Sequence, residues 1–207
     1  MDCLREVEDN WRRTTFKELC CHHTCIGNSL HFSWRRLVSV QSNLVGNNMQ
    51  TKALVVIDIQ NDITKHYRDI VDNINDAIEW AVSEGMHVVY IKHNNITAST
   101  RTFKLGTRGE ELVPELKVVS DNIFVKTKSN ALTSGPFASF IEANSITEFY
   151  VVGADATACV KSTCFNMRKA GYTVHVFSDC VTSYDLKKLP EMLAYYAKQG
   201  CELITIR

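Results

Sequence analysis

Three side chains in this sequence are of types that together can activate a nucleophile: the carboxylate of Asp58, the amine of Lys126 and the thiol of Cys159. A carboxylate can take a thiol proton, an ammonium can hold the charges in place, and a thiolate can attack a carbonyl carbon. Each follows an apolar run of strand type. Asp58 comes after Ala53-Leu54-Val55-Val56-Ile57 and Lys126 after Ile123-Phe124-Val125, while Cys159 lies shortly beyond Phe149-Tyr150-Val151-Val152-Gly153. Singly, each has an ordinary explanation. Asp after a strand often caps a turn or helix start, Lys is commonly solvated, and a lone Cys on a helix often packs as a small hydrophobe. Placement at one end of one sheet is what links them, because open α/β sheets bind ligands beyond the strand carboxyl ends, where the strand order reverses. If the first, third and fourth strands meet near that reversal, the three groups share one crevice. Cys159 also falls in the first turn of a helix, where free N–H groups and the helix dipole favour a thiolate. Cys164 reads as packing and Cys201 as structural, and Cys180 borders the site with no base in view.

The elements that must position these groups follow from periodicity. Residues 67–83 place Ile70, Val71, Ile74, Ala77, Ile78 and Ala81 on one helical stripe that Gly85 ends. Residues 87–91 read as a second strand, 94–109 as a long polar loop and 137–143 as a short helix. A helix over 158–169, a strand over 172–177, a helix over 188–199 and a strand over 202–206 complete the pattern. Strands alternating with helices predict a three-layer α/β/α fold, a doubly wound, mostly parallel six-stranded sheet of Rossmann-like type. This domain is expected to span residues 49–207, with Met49 as a possible start of the functional polypeptide. Residues 1–48 hold no sustained period and are expected to form a poorly ordered extension. The run Cys20-Cys21-His22-His23-Thr24-Cys25 has no second ligand pair at zinc-site spacing, so no metal is expected there.

Composition narrows the class. The 207 residues are 45% apolar and 22% charged, ordinary for a globular chain. Lys+Arg and Asp+Glu balance at 23 each, which leaves no basic excess for phosphates or an anionic membrane surface. No apolar run reaches the roughly 18 residues of a spanning helix. The eight cysteines follow no signal-peptide pattern, so a cytoplasmic location with free thiols is expected. No Cys-x-x-Cys occurs, which argues against a thiol redox role. Glu142 and Glu148 read as plain surface charges.

Several segments recur in order over nearly all of residues 50–207. They are Ala53-Leu-Val-Val-Ile-Asp58-Ile-Gln60-Asn-Asp62, Phe103-Lys-Leu-Gly106-Thr-Arg-Gly109 with Glu111-Leu112 and Pro114, Val125-Lys126, Gly153-Ala-Asp-Ala-Thr-Ala-Cys159-Val160, and Gly171-Tyr-Thr-Val-His-Val-Phe-Ser-Asp179. As an ordered set they resemble the isochorismatase-like cysteine hydrolase superfamily, which includes nicotinamidases, carbamoylsarcosine-type amidohydrolases and ureidoacrylate hydrolases. The resemblance implies a catalytic triad of Asp58, Lys126 and Cys159. It also implies a cis peptide at Ala154 and Asp155, with the N–H groups of Asp155 and Cys159 as the oxyanion hole. Gln60, His93, Asn130, Leu132, Thr157 and Ala158 would line a substrate pocket, and a homo-oligomer, dimer or tetramer, is expected by analogy.

Three departures from the family pattern shape the reading. The nicotinamidase branch binds a metal through an Asp-x-His cluster with a further His after the second strand, whereas this chain has Lys92-His93-Asn94-Asn95. No metal and no cofactor are therefore expected, and His93 is assigned to the pocket or to a local carbonyl. Many relatives carry Ser-Ala-Phe after the lysine, where this chain has Asn130-Ala131-Leu132 and lacks that aromatic wall. True isochorismatases lack the nucleophilic cysteine, so its presence argues for amide-type hydrolysis. The expected activity is cleavage of a C–N bond in a small amide, ureide or carbamoyl compound through a thioester. The alternative is a pseudo-enzyme on the same fold that binds a metabolite or protein. Loop 94–109 is a candidate lid, with Arg101, Lys104 or Arg108 meeting an anionic group.

Overall fold

The computed structural model describes residues 51–207 apart from Thr64, Lys65, Ala98, Thr100 and Arg101. The expectations for residues 1–48, for Met49, for the Cys/His run at 20–25 and for Arg101 lie outside the described residues. The sheet comprises β1 (Thr51–Ile57), β2 (His87–His93), β3 (Ile123–Lys126), β4 (Ile146–Gly153), β5 (Thr173–Val181) and β6 (Glu202–Ile204). Its order is β3-β2-β1-β4-β5-β6, and every neighbouring pair is parallel. Among the described residues four α-helices accompany it: α1 (Val71–Ser83), α2 (Gly135–Ala143), α3 (Cys159–Lys169) and α4 (Leu189–Lys198).

Two cores explain why β1 is apolar at every inner position. Ala53, Val55 and Ile57 face one core with Phe137, Val160, Met167 and Tyr196 from α2, α3 and α4. Leu54 and Val56 face the other, with Ile74, Ala77, Ile78 and Ala81 from α1. Successive strand residues point to opposite faces, so a sheet covered on both sides needs continuous rather than alternating apolar sequence. The result is the three-layer arrangement expected. Among the described residues no helix is long and apolar enough to cross a membrane.

Some boundaries differ from those the sequence suggests. The single helix expected over 67–83 is a 3-10 turn at Tyr67–Asp69 followed by α1, with Ile70 at φ −121° between them. The tighter pitch still buries Tyr67 and Ile70, so the apolar stripe mixes two helical periods. β5 continues past Phe177 to Val181 because its polar residues find partners: Ser178 Oγ donates to Ile204 O at 3.1 Å, and Asp179 accepts the Ile206 and Arg207 N–H groups. Glu142 is exposed, but Glu148 is not the surface charge expected. It lies buried at the start of β4, accepting from Tyr150 Oη at 2.7 Å and pairing with His175 at 3.0 Å and Lys52 at 3.5 Å.

The order reverses between β1 and β4, as a crevice there requires, but the third strand does not meet it. β3 is the sheet edge, with β2 between it and β1. Any group on β3 must therefore reach across about two strand spacings, some 9–10 Å, to arrive at the reversal.

Candidate active site

β1 ends by turning sharply. Asp58 adopts φ 55° while its N–H donates to Ile91 O at 2.9 Å, a left-handed conformation that short polar side chains tolerate better than most. Beside it β4 ends at Gly153, with φ 120°, where a Cβ would stand 2.2 Å from Ile57 O. Only glycine lets the two central strands approach this closely. Ala154 N then donates to Ile57 O at 3.0 Å, and the Ala154-Asp155 peptide is cis.

The following turn is organised by Asp155. Its carboxylate accepts from Thr157 N and Thr157 Oγ1, both at 2.7 Å, from Ser183 Oγ at 2.9 Å and from Tyr184 N at 2.7 Å. Its carbonyl accepts the N–H groups of Ala158 at 3.0 Å and Val160 at 3.1 Å. Cys159, between those two donors in the chain, is thereby delivered to the first position of α3.

Lys126 crosses the gap from the sheet edge with its extended side chain, which is fully buried. Its Nζ lies 2.8 Å from Asp58 Oδ2, 2.9 Å from His93 Nδ1 and 3.4 Å from Cys159 Sγ. An ammonium has three N–H donors, and here each has an acceptor. His93 reaches the cluster from the end of β2, in register with Lys126, and its Nδ1 is 4.0 Å from Cys159 Sγ. Asp58 Oδ1 is buried without a hydrogen-bond partner among the described residues. A lone buried carboxylate oxygen is costly, so its persistence beside a thiol is chemically informative.

The electrostatics differ from the expectation of a ready thiolate. Burial and the neighbouring Asp58 charge push the Cys159 thiol up to about 12, outweighing the Lys126 ammonium. Burial also raises the Asp58 carboxyl above its ordinary 3.8, although Lys126 opposes this. His93 is lowered, first by burial and then by the Lys126 charge, which keeps its imidazole neutral. The resting arrangement is thus a thiol beside a carboxylate whose proton affinity is enhanced. Desolvation at this depth outweighs the helix-terminus effect that favoured a thiolate.

The remaining predicted residues are distributed unevenly. Gln60 is fully buried, its Nε2 donating to His93 O at 3.0 Å and Glu110 O at 2.8 Å, its Oε1 accepting from His93 N at 2.7 Å. Both ends of its amide are thus spent on backbone. Asn130 caps a 3-10 turn by accepting from Leu132 N at 3.0 Å, and Leu132 packs against the same core as Cys159. Thr157 is half-buried with its hydroxyl held by Asp155, and Ala158 is exposed at the start of α3.

The loop beyond β2 is tethered along its second half. Asn95 N donates to Phe103 O at 2.9 Å, Asn95 Nδ2 to Thr102 O at 2.8 Å and Phe103 N to Asp62 Oδ2 at 2.9 Å. Phe103, at φ 53°, lays its ring against His93 with centroids 5.7 Å apart. Lys104 and Arg108 are exposed on this tethered stretch. Sequence reading did not single out Phe103, Asp62 or Asn95 as site residues. The nearest signal was Asp62, within the Asp58 motif.

The donor atoms of Asp58, His93 and Cys159 lie within 4.8 Å of one another, close enough to suggest a metal centre. All three already surround the Lys126 ammonium, which supplies the positive charge an ion would bring. An ion would have to displace a fully buried, fully hydrogen-bonded lysine, so these residues do not fit a resident metal.

The isochorismatase domain family model matches residues 52–207. A protein of Arabidopsis thaliana named a probable inactive nicotinamidase is 26% identical over 157 residues, covering 63% of this chain and 80% of that one. Among solved structures, N-carbamoylsarcosine amidase of Thermoplasma acidophilum superposes with a TM-score of 0.68 at 22% identity, over 75% of this chain and 96% of that one. Pyrazinamidase of Pyrococcus horikoshii in complex with zinc gives 0.68 at 18% identity, over 74% and 98%. An isochorismatase family protein of Desulfovibrio vulgaris gives 0.71 at 19%, over 76% and 95%. At these identities the structural likeness speaks for the fold.

Proposed function

This chain belongs to the isochorismatase family, and from that premise we propose that it is a cysteine hydrolase cleaving a C–N bond in a small amide, ureide or carbamoyl compound. The observation that carries the reading is the buried Lys126 ammonium in bonding reach of Asp58 and Cys159 together, with the second Asp58 oxygen unpaired.

The chemistry follows from those positions. As Cys159 Sγ attacks the substrate carbonyl carbon, Asp58 takes the thiol proton, and Lys126 steadies the charge that moves between them. The carbonyl π electrons pass to oxygen, where the N–H groups of Asp155 and Cys159 receive the oxyanion, each worth about 2.7–4 kcal/mol of barrier. Collapse breaks the C–N bond while Asp58 returns its proton to the departing nitrogen, leaving a thioester. Water attacks the thioester as Asp58 takes one of its protons. The C–S bond then breaks, and the proton goes back to sulfur. The net reaction adds one water and releases an acid and an amine or ammonia. Among the described residues Cys159, Cys164, Cys180 and Cys201 are free thiols, which suits a reducing cytoplasm, and a homo-oligomeric assembly is proposed by analogy with the family.

The test is an ammonia-release screen over small amides, ureides and carbamoyl compounds. Cys159→Ala is expected to abolish release while its thermal unfolding stays cooperative. Wild-type rates in that variant would end the proposal. A second reading, a non-catalytic member that binds a small molecule or a partner protein, is favoured by the relative whose name calls it inactive. It predicts no turnover across the screen, with ligand-dependent stabilisation that Cys159→Ala retains.

A further inference from the structure

The Lys126 ammonium is held on three sides, and the third side, His93, is fixed by a chain of hydrogen bonds whose direction is determined at its far end. Asn95 Nδ2 donates to the Thr102 carbonyl at 2.8 Å. That engagement turns the Asn95 amide so that Oδ1 faces His93 Nε2 at 3.2 Å. An amide oxygen only accepts, so Nε2 must carry the imidazole proton. Nδ1 is then a bare lone pair, and it lies 2.9 Å from Lys126 Nζ, which has only protons to offer. The Phe103 ring against His93 keeps the imidazole from turning.

Resting on the hydrolase reading above, we infer that His93, locked in its Nε2–H tautomer by Asn95, is a positioning residue that accepts the third Lys126 N–H and so aims the other two at Asp58 and Cys159. Without that acceptor a buried N–H would have no partner, and such a donor is costly to leave unmade. The lysine would then shift toward another acceptor, and the support it gives a developing thiolate would weaken. The groups facing the imidazole are Lys126 beside Nδ1, Cys159 at 4.0 Å and Asn95 beside Nε2. Asp58 lies within the same 4.8 Å cluster. A neutral His93 agrees with the lowering that burial and Lys126 impose on it. A protonated one would set two cations face to face.

Two measurements on the full chain test this without a known substrate. Long-range ¹H–¹⁵N spectra at neutral pH are expected to show His93 with Nε2 protonated and Nδ1 bare, and Asn95→Leu is expected to release the Nδ1–H form. An Nδ1–H or doubly protonated imidazole in the native chain overturns the inference. The second measurement is the rate of Cys159 alkylation by iodoacetamide, followed by peptide mass spectrometry across alkaline pH. His93→Leu should slow it about tenfold at every pH where the thiol is still mostly protonated, the equivalent of one pKa unit. His93→Gln, which restores an accepting oxygen, should stay within about threefold of the native rate by the same measure. Equal rates for His93→Leu and the native chain also overturn the inference. If His93→Leu does not fold, the Asn95→Leu spectra and the His93→Gln rate decide. A failed amide screen would bear on the hydrolase reading and leave the tautomer result untouched.

Discussion

At the residue scale, one proton is divided between Asp58 and Cys159, and burial decides where it rests. The thiol keeps it, because desolvation and the adjacent carboxylate raise Cys159 to about 12 while Lys126 only partly compensates. The carboxylate is nevertheless a stronger base than an exposed Asp, being raised above 3.8 by the same burial. On the proposed mechanism, activity needs Asp58 ionised to take the proton and Cys159 protonated to give it. As pH falls through the raised Asp58 pKa the base is lost, so kcat/KM should decline on the acid side from a point above 3.8. On the alkaline side no decline from Cys159 is expected near the ordinary thiol value of about 8.5, since its own proton is held far higher. A pH–rate profile on the best substrate of the screen checks both limbs. An inflection from Cys159 near 8.5, or an acid limb at or below 3.8, would mean that a preformed thiolate or another base does the work.

At the scale of elements, the site depends on how closely β1 and β4 approach at their ends. Gly153 has φ 120°, and a methyl group there would meet Ile57 O at 2.2 Å, Ile57 N at 2.8 Å and Ile57 C at 2.9 Å, all backbone of the central strand. Neither strand can yield without losing ladder bonds, so Gly153→Ala should cost about 3 kcal/mol or more by urea unfolding, combining backbone strain with overpacking. Gly109 offers an instructive contrast, since its added Cβ would collide with the Asp62 carboxylate rather than with backbone. Displacing that side chain breaks its bond to Phe103 N, so the cost should fall on the Phe103 segment packed against His93 more than on the fold. These elements also show which features the sequence makes legible. The central strands announce themselves because both faces are buried, and Asp58 and Cys159 stand at their ends by simple succession. The edge position of β3 was not legible, because strand order is a non-local property. Some partners of Gln60 and His93 were hidden for the same reason: Glu110 reaches Gln60 and Phe103 reaches His93 only after the chain from 94 to 111 has folded back, and Lys126 reaches His93 from the edge strand.

At the scale of the whole molecule, one question is how much of the chain the site requires. The six-stranded sheet and the Asp58, His93, Lys126 and Cys159 cluster lie within the compact unit Asn47–Arg207, and the four cluster residues fall within the family match over 52–207. Among the described residues, side chains of that same span fill both cores. About 160 residues is ample for an independent α/β domain with two covered sheet faces. We propose on this basis that a chain beginning at Met49 folds alone, since β1 starts at Thr51 and leaves two residues to precede it. The expected outcome is a single cooperative thermal transition and Cys159 alkylation across pH indistinguishable from that of the full chain. Alkylation reports the cluster directly, because its rate depends on Lys126 and Asp58 being in place around the sulfur. A chain from Met49 that aggregates, or whose Cys159 alkylates like a free thiol, would show that residues 1–48 are needed to complete the domain.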